Sequence, residues 1–278
     1  MSSLAVGGVL AVAIAGAAYR WKALDRSGAV AAVVLGTIVF GLGGPLWGIL
    51  LVLFFVTSSA LSLLGRETKQ RRTAGIVAKG ERRDAWQVLA NGGTGGLLAI
   101  AAALVPEAGW PFAAFVGATA AATSDTWATE LGLLSTARPR LITSFRPALP
   151  GESGAVSVPG TLAAVAGGSL IGLAAMAGSR LPAPFGPVAP VAPGLMGLAG
   201  LIGGLAGAML DSVLGATLQA SYFCPACGAP TERPIHSCGS ATVLRRGLGW
   251  LNNDGVNFLA CVCGATLGAL LSLTLGGT

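Results

Sequence analysis

Apolar runs long enough to cross a bilayer recur along the whole chain and are separated by short polar stretches. A membrane helix needs about 20 apolar residues, and the breakers at positions 41–45 (GLGGP) divide one stretch that is too long for a single crossing. The pattern predicts eight spans at roughly 3–19, 28–43, 45–64, 86–105, 110–134, 159–179, 194–220 and 250–275. The predicted fold is therefore an all-α polytopic membrane protein, with a single transmembrane domain over residues 1–278.

Composition and the distribution of charge support this interpretation. Hydrophobic residues make up 53% of the 278 positions and charged residues only 10%, whereas a soluble domain carries about 25% charged residues. With eight alternating spans, every Lys and Arg except Arg180 falls on one side, as the positive-inside rule requires of cytoplasmic loops. We therefore expect both termini outside, four basic loops in the cytoplasm, and a net charge of +6 that reflects topology rather than nucleic-acid binding.

Two pairs of segments repeat each other. Residues 116–132 align with 202–218 and place Asp125 over Asp211, while a second, weaker repeat relates the starts of the fourth and eighth spans. Both members of each pair cross in the same direction in the predicted topology. Similar Gly/Ala-rich composition could produce such a likeness, but the aligned Asp-Thr and Asp-Ser pairs favour a true repeat. Paired helices of this kind commonly enclose a shared site.

Three aspartates lie in otherwise apolar, helix-length segments: Asp125, Asp211 and Asp254. A carboxylate inside a membrane span costs roughly 2.5–3.5 kcal/mol even on lenient scales, so it usually faces a polar cavity. The first two are expected at similar depth near the cytoplasmic end, and carboxylates from different helices suit Mg²⁺ together with phosphates and waters. The alternatives are pairing with a buried Arg or capping of a broken helix, and Asp254 could simply cap the start of its span.

The cytoplasmic loops carry polar groups that would accompany such a site. Loop 66–83 holds seven basic residues, which could bind phosphates or only set the topology. Its best phosphate candidates are Lys69, Arg82 and Arg83. Loop 138–154 is rich in Gly, Ser and Arg and would suit a phosphate-binding lid, although an ordinary connector is the competing interpretation.

A cysteine cluster lies in the last cytoplasmic loop, residues 221–249. Cys224 and Cys227 form a C-x₂-C arrangement, and His236 and Cys238 follow as H-x-C. Four soft or borderline ligands at this spacing predict a structural Zn²⁺ knuckle, because four protein ligands close the tetrahedron. A disulfide is disfavoured in the reducing cytoplasm.

Several strings spread over spans two to eight coincide with one known family. They are Ser27-Gly28-Ala29, Asn91-Gly92, Asp125-Thr126-Trp127-Ala128-Thr129-Glu130, Arg140-Leu141-Ile142-Thr143, Asp211-Ser212 and Asn253-Asp254. The chain resembles the integral-membrane family that includes the phytyl-phosphate kinases of tocopherol synthesis. The resemblance implies phosphoryl transfer from a nucleoside triphosphate, with CTP the expected donor, to an isoprenyl monophosphate such as phytyl or geranylgeranyl phosphate, giving the diphosphate.

The resemblance and the residues together predict a kinase site at the cytoplasmic face of the bilayer. The expected Mg²⁺ ligands are Asp125, Glu130, Asp211 and Asp254. The groups expected to act on the reacting phosphates are Asp125, Asp211, Lys69, Arg82, Arg83 and Arg140. The side chains expected to bind substrate or orient phosphate are Gln87, Asn91, Thr129, Thr143, Ser153, Asn253 and Asn257. Because the acceptor is already an anion near neutral pH, no strong general base is required.

The competing hypothesis is a cation- or proton-coupled transporter or a lipid flippase that uses the same intramembrane carboxylates. Such a protein needs a path to both membrane faces. The outer halves of the predicted spans contain essentially no ionisable residues, and the polar motifs collect on the inner side. The sequence therefore favours a site that opens to one face.

Overall fold

The computed structural model of the protein describes residues 3–73, 82–182, 185–186 and 191–275. Within these ranges the chain forms nine helices and five short strands. The helices are α1 (Ser3–Arg20), α2 (Arg26–Gly43, whose last turn Val39–Gly43 is π-helical), α3 (Pro45–Leu63), α4 (Arg66–Thr73), α5 (Ala85–Leu104), α6 (Trp110–Leu134), α7 (Val158–Gly178), α8 (Pro193–Thr217) and α9 (Asn253–Leu275). The strands are β1 (Arg140–Leu141), β2 (Ala155–Val156), β3 (Ser221–Cys224), β4 (Ala229–Thr231) and β5 (Val243–Arg246).

Eight of these helices coincide with the eight predicted spans, which confirms the all-α membrane fold. In the described part of the chain, seven are long and apolar enough to cross a bilayer. The eighth, α6, is 25 residues long but less apolar, and its residues from Pro111 to Ser124 are buried without interruption. A helix enclosed by other helices has no lipid-facing side, so it can carry small and polar residues on all of its faces. The short helix α4 was not anticipated and lies in the basic loop 66–83.

The core of the bundle is α6, with α7, α8 and α9 packed closely around it. Small residues permit this approach: a Cβ added to Gly117 would lie 2.1 Å from the carbonyl oxygen of Gly264 on α9. On the α8 side, a Cβ added to Gly203 would lie 2.9 Å from the Cα of Gly117. Close backbone packing at small residues is the usual way in which membrane helices associate.

The packing of α6 against α8 agrees with the first predicted repeat. Gly207 on α8 packs against Ala121 on α6. One helical turn further, at the same register, Asp211 meets Asp125. The sequence numbers rise together along both helices, so α6 and α8 are parallel. Equivalent positions of the repeat therefore face each other, and the two aspartates come from opposite sides of a pseudo-symmetric pair.

Local hydrogen bonds fix the starts of α2 and α5 against each other. Asp25 caps α2 by accepting from the backbone N–H of Gly28 at 2.8 Å, and its own N–H donates to the carbonyl of Arg83 at 3.1 Å. A Cβ at Gly28 would lie 2.1 Å from that carbonyl oxygen, so the contact needs glycine. Asp84 then forms a reciprocal capping box with Gln87 at the start of α5.

The two long loops at this end of the bundle have structure of their own. In loop 135–157, β1 and β2 pair antiparallel with Arg140 opposite Val156. Gly154 in that loop has a φ of +83° and sits against Ala216 near the end of α8, so a side chain at this position would be strained and crowded. The segment between α8 and α9 forms an antiparallel sheet in the order β4-β3-β5.

Candidate functional site

A polar cavity of about 940 Å³ opens at one end of the bundle. Its walls come from the helices α3 to α9 and from the loops that follow α6 and α8, so three of the loops predicted to be cytoplasmic meet around it. Most of the sequence-predicted site residues line it. They are Lys69, Arg83, Gln87, Asn91, Asp125, Thr129, Glu130, Ser153, Asp211, Asn253, Asp254 and Asn257.

Two aspartates from different helices, Asp125 and Asp211, line this cavity, and their side chains interact with each other. The Asp211 Oδ2 atom is buried and has no hydrogen-bond partner among the described residues. Neighbouring hydroxyls do not supply one, because Thr126 and Ser212 donate to carbonyl oxygens of their own helices at 2.8 and 3.1 Å. Two carboxylates this close repel each other, and a cation bound between them would relieve that repulsion.

The alternative of a buried arginine partner is not supported. In residues 3–73, 82–182, 185–186 and 191–275, neither Asp125 nor Asp211 forms an ion pair with Lys or Arg. Their helices are also unbroken at both positions, so neither caps a helix end. A pair of carboxylates with a free oxygen offers the kind of oxygen ligands that a hard cation such as Mg²⁺ prefers. The residues present therefore fit the predicted metal.

The start of α9 supplies a third carboxylate. Asp254 is 8% exposed and lines the cavity. The capping role considered for it belongs to Asn252, whose Oδ1 accepts from the backbone N–H of Gly255 at 3.1 Å. Asn253 and Asn257 line the same wall one turn apart. The first turn of α9 is therefore a polar face of the cavity rather than only a helix end.

Lys69 and Glu130, predicted to act on phosphate and metal, contact each other and the end of α3 in the structure. The Lys69 ammonium donates to the carbonyls of Leu61 and Ser62 at 2.7 and 2.9 Å and to Glu130 Oε2 at 2.5 Å. The other Glu130 oxygen accepts from the hydroxyl of Ser62. All three Lys69 protons and both Glu130 oxygens are thus engaged in joining α3, α4 and α6. We therefore assign the pair to the framework of the cavity.

Three further predicted residues lie outside the cavity lining. Arg82 and Thr143 are exposed, and exposed Arg140 turns back on its own loop, where its Nη1 donates to the carbonyl of Phe145 at 2.7 Å. The turn before α5 directs only the second of its two arginines, Arg83, into the bundle. Other basic side chains that the sequence did not single out line the cavity with it: Arg66, Arg72 and Arg138.

A further acidic residue, Glu232, reaches the cavity from the Cys/His loop. Its Oε1 accepts from the hydroxyl of Ser153 at 2.6 Å and from Nε2 of buried Gln219 at 2.9 Å. Its charge also acts on Asp211. Sequence reasoning missed this residue, since a glutamate in a polar loop has no pattern that separates it from solvent-exposed ones.

The Cys/His cluster forms a compact group apart from the cavity. The ligand atoms of Cys224, Cys227, His236 and Cys238 all lie within 4.8 Å of one another. The Cys224 and Cys238 sulfurs are 3.7 Å apart, close to the edge of about 3.8 Å expected for tetrahedral Zn–S bonds. Hydrogen bonds from Ser240 and His236 lower the pKa of Cys238 to about 5, which favours the thiolate that binds metals.

Comparison of the sequence with known proteins identifies the family of this chain. Residues 9–265 match the family described as integral membrane protein DUF92. Protein PGR of Arabidopsis thaliana is 33% identical over 280 residues, covering 95% of this chain and 94% of that protein. An uncharacterized membrane protein of Methanocaldococcus jannaschii is 33% identical over 256 residues, with 91% and 88% covered. One of Synechocystis is 32% identical over 189 residues, with 67% and 68% covered. No solved structure matches the chain. The resemblance inferred from the motifs is confirmed.

Proposed function

The chain belongs to the integral membrane DUF92 family, and from this membership and the cavity we propose that it is a membrane kinase. It transfers a phosphoryl group from a nucleoside triphosphate, CTP in our proposal, to an isoprenyl monophosphate and gives the diphosphate. The observation that carries the proposal is the meeting of Asp125 and Asp211 inside a cavity that is also lined by arginines. Carboxylates for a metal and cations for phosphate are the two requirements of phosphoryl transfer.

The chemistry needs positioning more than proton transfer. An oxygen of the acceptor phosphate attacks the γ-phosphorus, a new P–O–P bond forms, and the bond between the γ-phosphorus and the bridging oxygen breaks to release the nucleoside diphosphate. Arg66, Arg72, Arg83 and Arg138 would offset the charge of the assembled phosphates. Ser153, Asn253 and Asn257 would orient phosphate oxygens. The attacking oxygen is already anionic, so a general base is not needed.

Asp125 and Asp211 would hold the Mg²⁺, with Asp254 on the adjoining wall. A magnesium ion bound there would neutralise negative charge on the transferring phosphoryl group. Glu130 is not included, because Lys69 and Ser62 occupy its oxygens. We place the site on the cytoplasmic face, since the loops that surround it contain most of the basic residues.

A transporter is less compatible with the packing of the bundle. Beyond the aspartates, the segment of α6 from Pro111 to Ser124 is buried on all sides and contains no ionisable residue. The glycine contacts of α6 with α8 and α9 leave little room beside this segment. Coupled transport needs a second opening through this part of the bundle.

The direct test uses purified protein with phytyl or geranylgeranyl monophosphate, Mg²⁺ and each nucleoside triphosphate in turn. The proposal expects the prenyl diphosphate, with CTP as the best donor. Mass spectrometry of the extracted lipids identifies the product, and protein boiled before the assay is the control. Absence of diphosphate with every prenyl phosphate, together with counterflow transport in liposomes, would sink the kinase proposal in favour of a transporter.

We also propose that Cys224, Cys227, His236 and Cys238 hold a structural Zn²⁺. Four protein ligands leave no open position for a substrate. The ion would fix the turn between β3 and β4 and the segment that leads to β5. Its role is therefore to order the loop that carries Glu232.

A further inference from the structure

A second, smaller space lies beside the polar cavity, on the side formed by α1, α2, α3 and α5. This groove has a volume of about 80 Å³, and its walls are mainly aliphatic and aromatic, with Ile14 from α1 and Ala32 from α2 among them. Its polar lining residues are Arg83, Gln87 and Asn91, and the same three also line the large cavity. The apolar groove and the polar cavity therefore adjoin each other at these side chains.

Arg83 marks the junction between the two spaces. Its guanidinium lies over the rings of Phe54 and Phe55, 5.5 and 5.3 Å from their centroids. Its carbonyl accepts from the N–H of Asp25, which fixes the residue to the turn between α1 and α2. Burial lowers the pKa of Arg83 to about 10, against the opposing effect of Glu130, so the group stays cationic at neutral pH.

This juxtaposition matches a ligand with an anionic head and an apolar tail. A free phosphate would leave the groove unused, whereas a neutral lipid would bring no anion to Arg83. A water-sized group needs about 10–15 Å³ of cavity volume. The groove volume of about 80 Å³ therefore accommodates roughly five to eight non-hydrogen atoms. That is the size of one isoprene unit.

We propose that the groove binds the isoprene unit next to the phosphate of an isoprenyl monophosphate, with Arg83 holding the phosphate at the junction. The inference rests on the proposed kinase function for the identity of the substrate, although binding does not require turnover. The rest of a longer chain extends into the bilayer. Recognition is therefore strict for the first isoprene unit and tolerant of chain length.

Photolabelling tests the binding site without turnover. The probe is an isoprenyl monophosphate with a diazirine on its first isoprene unit, added to the full chain in liposomes without nucleotide. We expect cross-links in the peptides of α1, α2 or α3 that contain groove residues. Excess geranylgeranyl phosphate should suppress the label, and geranylgeraniol, which lacks the phosphate, should suppress it much less.

Groove-filling variants give the second measurement. Ile14→Trp narrows the groove, whereas Val12→Trp places the same ring on the exposed face of the same helix and serves as the control. Ile14→Trp should reduce labelling and raise the KM for prenyl phosphate about tenfold while the KM for nucleotide stays unchanged, as loss of an apolar pocket contact predicts. Ala32→Phe fills the groove from α2 and should have the same effect as Ile14→Trp. Agreement between the two variants excludes a folding defect of α1 as the cause.

The outcomes separate the groove from the kinase. Groove labelling without diphosphate formation supports the binding site and removes the enzyme activity. Diphosphate formation with labelling elsewhere supports the kinase and overturns the groove. Equal labelling of folded Ile14→Trp and Val12→Trp proteins, judged by size-exclusion profile and Tm, also overturns it.

Discussion

The carboxylate pair in the cavity and the Cys/His cluster beside it are two metal-ligand sets of opposite design. Asp125 and Asp211 offer hard oxygens and are held by the packing of two long helices. Among the described residues, the Asp211 Oδ2 atom has no hydrogen-bond partner. The Cys/His cluster offers four soft or borderline ligands on short loops, and these can satisfy a metal completely. An incomplete set leaves coordination positions for substrate, whereas a complete set can only stabilise structure.

Glu232 connects the two sets. It follows β4 directly, inside the loop that bears the metal ligands, and its carboxylate reaches the wall of the cavity. There it accepts hydrogen bonds from Ser153 and Gln219. We call the Cys/His cluster the closed site and the pair Asp125 and Asp211 the open site. Glu232 therefore links the loop of the closed site to the cavity of the open site through one side chain. The predictions below test each part of this contrast.

The largest effect is expected from the open site. Asp125→Asn or Asp211→Asn should reduce turnover at least about 100-fold, since even groups that only support metal ligands contribute about 10–100-fold. Folding should be retained, because amides remove the repulsion between the carboxylates. Turnover and Tm of the purified variants check both points. Ser212→Ala is the matched control, since its hydroxyl donates to the carbonyl of Ala208 on its own helix. Near-wild-type activity of either Asn variant would remove that residue from the metal site.

The next effect is on stability and decides which acids belong to the open site. Lys69→Met leaves the partly buried Glu130 carboxylate without its ion-pair partner, which should lower the free energy of unfolding by about 3 kcal/mol. Denaturant unfolding in detergent measures this change. The double variant Lys69→Met/Glu130→Leu should recover most of the stability and retain turnover. A stable but inactive double variant would show that Lys69 and Glu130 take part in the reaction, as the sequence predicted.

Glu232→Gln tests the connection between the two sets. The amide keeps an oxygen for Ser153 and Gln219 but removes the charge near Asp211, so the Mg²⁺ concentration for half-maximal turnover should rise about tenfold, a typical loss for a supporting group. Titration of Mg²⁺ at saturating substrates measures it. Glu67→Gln is the control, because Glu67 does not line the cavity. Its carboxylate is exposed and lies 3.9 Å from the Arg71 guanidinium on the same helix. An unchanged titration would disconnect the loop from the open site.

The parts of the molecule that the sequence predicted are those governed by periodicity and repetition. The helices follow apolar run length, and the pairing of Asp125 with Asp211 follows from the aligned repeat because parallel helices in equivalent register bring equivalent residues together. The roles of Lys69 and Glu130 could not be predicted, since their pairing depends on how α4 folds back on α3 and α6. Glu232 was missed for a similar reason, because only the course of the loop brings it to the cavity.

The smallest effect is expected from the closed site. Cys224→Ser should remove the bound zinc, measured as metal per protein. It should raise the Mg²⁺ concentration for half-maximal turnover no more than Glu232→Gln does, because the ion acts on the cavity through that side chain. Cys263→Ser on α9 is the control for loss of a thiol. If the path is correct, Cys224→Ser/Glu232→Gln should need no more Mg²⁺ for half-maximal turnover than Glu232→Gln alone, since changes within one connected network are not additive. Fully multiplicative losses would show that the cluster acts by another route, and unchanged zinc in Cys224→Ser would remove the metal from the cluster.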